Sequence, residues 1–152
     1  MKENQKGISL VITFLIMAIM LAVVLSLSSI LFNQIKMIAN VGNSISSLYA
    51  AESGIERTLY LDKKQLPIGA SRGLCNICNT CSGNRCQECT LASLALEGNN
   101  GCNIQNCTNC SVTYTLEFDD RTYSVNAKIQ NNALSVFSKG VYRQESRSVQ
   151  LP

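Results

Sequence analysis

Residues 8–32, ISLVITFLIMAIMLAVVLSLSSILF, run for 25 positions without a charge, a glycine or a proline. About 20 such residues cross a hydrocarbon core of ~30 Å, so this stretch is long enough to span a membrane with some tilt. A cleaved secretory signal has an apolar region of roughly 7–15 residues. Ser26, Ser28 and Ser29 imitate its small-residue cleavage site, but the run ahead of them is too long. A buried soluble helix fits less well still, because a chain of 152 residues has too little else to wrap it. Lys2 and Lys6 precede the span against one acid, Glu3, and only Lys36 follows closely. The positive flank stays in the cytoplasm, so the expected topology is a single pass with the N-terminus in and residues 33–152 outside.

The helical pattern continues past the span. No proline occurs from 33 to 61, and Ile38, Val41, Ile45, Leu48, Ile55 and Leu59 recur at the spacing of one helical face, with Glu52 on the same stripe. This predicts an amphipathic continuation over 33–61 that lays its stripe on a C-terminal domain. A helix from 8 to 61 would be roughly 80 Å long. Gly42, between Asn40 and Asn43, is its expected weak point.

Eight cysteines fall in one segment: Cys75, Cys78, Cys81, Cys86, Cys89, Cys102, Cys107 and Cys110. Asparagines and glycines fill the gaps, which is turn chemistry with almost no core residues. The segment 62–110 therefore reads as a Cys-rich loop region, with a short helix expected over Leu91–Leu96 capped by Thr90. Paired C-x2-C knuckles are also the pattern of structural zinc sites. An outward-facing segment with little core favours disulfides, with zinc as the alternative and no metal favoured; a thiol redox pair would want a βαβ context that is not visible. Eight cysteines allow 105 connectivities, and none is chosen.

From 111 the period changes to two. Val112, Tyr114, Leu116 and Phe118 alternate with polar residues, as do Tyr123, Val125, Ala127 and Ile129. Asp119-Asp120 and Asn131-Asn132 read as turns. Leu134–Tyr142 and Ser146–Leu151 complete four antiparallel strands over 111–152, with the apolar face on helix residues 45–59. The fold class expected is α+β: a long N-terminal helix packed on a small antiparallel sheet, with a Cys-rich insertion. Asp119 and Asp120 are too few oxygens for calcium and imply no catalytic cleft. Asn106-Cys107-Thr108 and Asn109-Cys110-Ser111 match the N-glycosylation pattern, a match common by chance.

The chain has no histidine and no tryptophan, which removes Ser-His and Cys-His catalysis and every His-containing metal site. A net charge of +3 without a basic, aromatic-interleaved stripe predicts no nucleic-acid partner. No catalytic residue and no cofactor is expected.

The start Met1-Lys2-Glu3-Asn4-Gln5-Lys6-Gly7, followed by Ile8-Ser9-Leu10, resembles the leader of type IV prepilins and type II secretion pseudopilins. The stretch Tyr49-Ala50-Ala51-Glu52-Ser53-Gly54-Ile55-Glu56 is similar to the A-A-E-x-G-x-E segment of minor pilins, the PilX-like branch above all. Ser138–Tyr142 and Arg147–Leu151 look like the closing hairpin of that group. The resemblance implies residues 1–7 as leader, cleaved by a membrane prepilin peptidase after Gly7. It implies N-methylation at Ile8, with Lys6, Ser9 and Leu10 read by the peptidase. It further implies partners in the membrane and in other pilins or pseudopilins, joined through the N-terminal helix, and a final place in an extracytoplasmic pilus or pseudopilus. One departure stands out: major subunits of the family carry Glu at the fifth mature position, where this chain has Ile12. A carboxylate in lipid is retained where it meets a partner, so its absence points to a minor or tip subunit. The other reading of the same residues is a single-pass, membrane-anchored Cys-rich binding module that forms no filament.

Overall fold

The computed structural model describes residues 4–81, 86–94 and 101–152, with side chains from residue 8 onward. One helix, α1 (Asn4–Lys64), is followed by a single 3-10 turn at Leu74–Asn76 and a short helix α2 (Ile77–Thr80). Five strands complete the chain: β1 (Cys86–Ser93), β2 (Cys110–Phe118), β3 (Arg121–Gln130), β4 (Ala133–Tyr142) and β5 (Glu145–Leu151). The fold is α+β, and all four strand pairings are antiparallel in the order β1-β2-β3-β4-β5.

The chain divides into two compact units, Met1–Val41 and Gly42–Pro152. In the first, α1 exposes its apolar side chains, among them Leu10, Phe14, Met17, Leu21 and Leu25. Two of its hydroxyls bond back to the helix itself. Thr13 Oγ1 donates to the Leu10 carbonyl (2.9 Å) and Ser26 Oγ to the Ala22 carbonyl (2.8 Å). Such back-bonding satisfies a hydroxyl where no water is at hand. From Ile8 the helix is long and apolar enough to cross a membrane, and its most apolar stretch buries nothing within the chain.

In the second unit, the last part of α1 lies on one face of the sheet. The buried helix residues are Ser47, Ala50, Ala51, Gly54, Ile55, Thr58, Leu61 and Asp62. This corrects the stripe read from the sequence: Ile45 and Leu48 are exposed, and of that stripe only Ile55 is buried, with Leu59 partly so. The reason is close approach. Cβ atoms built on Gly140 would overlap the Ser47 carbonyl, and on Gly54 would overlap Ser138 Oγ. Helix and sheet backbones pack at a distance that only small residues allow, so the bulky residues face away.

The sheet side of the interface is the alternating set Val112, Tyr114, Leu116, Tyr123, Val125, Ala127, Ile129 and Val136. Tight turns join β2 to β5. Asn131 (φ 48°) and Asn132 (φ 69°) both occupy the left-handed region that a two-residue type I′ hairpin requires, and asparagine tolerates it. The expected helix over Leu91–Leu96 is not formed. Thr90 and Leu91–Ser93 belong to β1, paired with Thr113, Val112, Ser111 and Cys110, and residues 95–96 lie outside the described residues. β1 pairing breaks register between Gln87 and Thr90, at Glu88 (φ 55°), a bulge that hides the strand's period.

Candidate functional sites: the leader junction and the disulfide region

At the junction resembling a prepilin leader, the backbone is helical from Asn4, so Lys6 and Gly7 lie within α1; residues 1–3, with Lys2 and Glu3, lie outside the described residues. Ile8 is 60% exposed, and Ser9 and Leu10 are exposed beside it. Ile12 is exposed as well. At the other end of the apolar run, the Lys36 ammonium sits 4.8 Å from the Phe32 ring centroid. That pairing of a snorkelling cation with an aromatic ring suits the border between hydrocarbon and water.

All eight cysteines are joined in four disulfides: Cys75–Cys107, Cys78–Cys89, Cys81–Cys86 and Cys102–Cys110. Two of them clip the helical turns at 77–81 to β1. One ties the 3-10 turn to the loop before β2, and the last closes that loop onto the start of β2. The segment contributes more core than its composition suggests. Leu74 and Ile77 are fully buried, and Cys75, Cys81, Cys107 and Cys110 join them in the same hydrophobic cluster as the sheet. Sulfurs of Cys75, Cys102 and Cys110 lie within 4.8 Å of one another, where two disulfides run side by side. A metal would need them as thiolates, and a sulfur held in a disulfide has none to give.

The cysteine region docks on the end of α1 through a carboxylate that sequence reasoning passed over. Asp62 is fully buried. Its Oδ1 accepts from the Leu74 N–H (3.2 Å), and its carbonyl accepts from the Gly73 N–H (2.9 Å). Oδ2 faces Arg72 Nε and Lys63 Nζ, each at 3.9 Å. Arg72 Nη2 in turn donates to the Asn132 carbonyl (3.0 Å) in the β3–β4 turn. The last carbonyls of a helix lack partners inside it, and here a strap of later sequence supplies one. A Cβ on Gly73 would overlap the Leu61 carbonyl, so the strap needs glycine there. A lone acid next to Lys63 and Lys64 reads as solvated in sequence, and only the tertiary structure reveals its use.

A second buried polar contact links α1 to β2. Thr58 Oγ1 donates to the Gly54 carbonyl (2.7 Å), which leaves Tyr114 OH to donate to Thr58 Oγ1 (2.7 Å). Burial pushes the Tyr114 phenol up to about 12, although the Thr58 hydrogen bond opposes the rise. Tyr123, edge-on to Tyr114 with ring centroids 6.5 Å apart, is raised by the same cause, with Arg57 pulling it down. These contacts are structural, and they bring together none of the leader residues. Gly7 and Ile8 belong to the first unit and the cysteines to the second. No protein-family model, no curated protein and no solved structure matches this chain.

Proposed function

We propose that the chain is a minor pilin or pseudopilin: a non-enzymatic subunit anchored in the cytoplasmic membrane, trimmed by a prepilin peptidase and assembled into a type IV pilus or secretion pseudopilus. The observation that carries the reading is α1, one helix from Asn4 to Lys64 with an uncovered apolar run beginning at the Gly7–Ile8 junction and a small α+β head on its last turns. Such a run is stable in lipid. It can leave lipid only if its apolar surface is covered again, and like helices bundled on a common axis would do so. In this reading Lys6, Ser9 and Leu10 present the junction, cleavage follows Gly7, and Ile8 becomes the methylated first residue. Lys2 and Lys6 hold the leader in the cytoplasm, and the head with its disulfides faces outward, where oxidants form them. Ile12 in place of the family's Glu supports a minor or tip position.

The test is the N-terminus of native protein from membranes. Intact mass and terminal sequencing should show residues 1–7 missing and N-methyl-Ile8 first, and replacing Gly7 by Leu should leave the full-length chain. Native protein that keeps Met1, or whose size ignores the Gly7 replacement, would return the chain to the other class, an anchored binding module without a filament.

A further inference from the structure

The face of the sheet turned away from α1 carries a feature that neither the leader nor the disulfides use. Strand pairing aligns one row across all five strands: Thr90, Thr113, Asn126, Phe137 and Gln150. Phe137 is 43% exposed, while its neighbours Val136 and Ser138 are buried on the opposite face. Two shallow clefts, of about 310 and 320 Å³, flank its ring, and Asn126 belongs to the walls of both. The first adds Thr113, Thr115, Ser124 and Lys139, with Glu88 at its wall. The second adds Lys128, Ser135 and Gln150 and contains no acid. Both ion pairs among the described residues end on Asp62, so neither lysine is engaged in one.

A single exposed apolar side chain needs no explanation. The placement of this one does. Lys139 lies two residues along the same strand, about 6.6 Å away by strand rise. Lys128 is the diagonal cross-strand neighbour, about 7–8 Å away. Phe137 therefore lies between two lysine positions in the strand register, and shares one cleft wall with each, in a field of short hydroxyl and amide side chains, each both donor and acceptor. That combination matches the chemistry of a sugar. The C–H face of a pyranose stacks on an aromatic ring, its hydroxyls need paired donors and acceptors at close range, and a uronic acid adds a carboxylate for a lysine. A single strand of nucleic acid would ask for a cationic track with successive aromatic platforms, and this face offers one ring among mostly neutral groups. A protein partner would ask for a larger apolar centre.

We propose that this face binds an acidic polysaccharide, with a pyranose ring stacked on Phe137 and a uronate carboxylate in the second cleft at Lys128. The full chain in detergent micelles can be titrated calorimetrically with a hexasaccharide of alternating glucuronate and N-acetylglucosamine. The same titration is then run with the neutral N-acetylglucosamine hexamer and with a twelve-residue oligothymidylate. The acidic hexamer should bind, and the neutral one should bind at least threefold more weakly. Phe137→Ala should weaken the acidic hexamer at least tenfold, while Phe137→Tyr, which keeps the ring, holds affinity within about threefold. Lys128→Gln should weaken it several-fold and flatten its salt dependence. Thermal unfolding of each variant at the wild-type temperature shows that the sheet is intact. The proposal is overturned if the acidic hexamer fails to bind at millimolar concentration, if Phe137→Ala binds as wild type, or if either the neutral hexamer or the oligothymidylate binds as tightly. Processing at Gly7 plays no part in this measurement, so its outcome is separate from that of the filament reading.

Discussion

A methyl group added at Gly140 has nowhere to go, since it would meet the Ser47 carbonyl and the Ala51 amide of the facing helix, both backbone. Neither can yield without moving an element, so Gly140→Ala should cost about 3 kcal/mol or more of stability, at the upper end of overpacking effects. The same substitution at Gly42 meets nothing within 4 Å, in the middle of α1. There Gly42→Ala should stabilise by roughly 0.5–1 kcal/mol, through helix propensity alone. Opposite signs in denaturant unfolding of the two variants would establish which glycine is structural. Tyr114 makes a second prediction at this scale. Its phenol is raised to about 12 in the folded state, against an ordinary value of 10 when unfolded. Between those values the unfolded chain has released a proton that the native chain keeps, so stability falls as pH rises through this window and is unaffected below it. Two units correspond to roughly 2–3 kcal/mol, and Tyr123 adds loss in the same direction. Urea midpoints measured from pH 9 to pH 12 should fall accordingly, and less steeply in Tyr114→Phe.

Among the elements, the disulfides differ in how much chain they close. Cys75–Cys107 spans 32 residues and Cys81–Cys86 spans 5. Loop-closure entropy alone then gives about 4 kcal/mol for the first and about 2 for the second. Replacing each pair by serines and comparing unfolding free energies should reproduce that order, and an inverted order would point to enthalpic terms. The elements also differ in how far they could be read in advance. Strands β2 to β4 were legible because each buries one face, which writes a strict period of two into Val112–Leu116 and Tyr123–Ile129. β1 was not, because cysteines, a bulge at Glu88 and an outer edge leave no alternation to detect, and Thr90-Leu91-Ala92 passes equally well for a helix start. The misread stripe on α1 has a different cause. Periodicity arguments weigh large apolar residues, whereas this interface is built from Ser47, Ala50, Ala51, Gly54 and Thr58, whose merit is that they are small. Of the candidate site residues, the eight cysteines could be named in advance but not paired, since pairing depends on where β1 lies. Asp62 could not be found, since burial of a lone acid leaves no local trace.

Of the two units, the first leaves the apolar run of α1 uncovered, and the second, the head, shares one hydrophobic core among its strands, its disulfides and the last part of α1. The head's wiring bears on the order in which it can form. Every pair of neighbouring strands is also a pair of successive strands, and β2 to β5 are linked by the shortest possible reversals. Local contacts of this kind close quickly, ahead of partners far apart along the chain. The four C-terminal strands can thus zip in sequence order, and the disulfides that join β1 to the helical turns lie outside them. The sheet then offers β2 as the strand on which β1, with Cys86 and Cys89, is laid in register, so that the choice of partner for these two thiols is a matter of geometry.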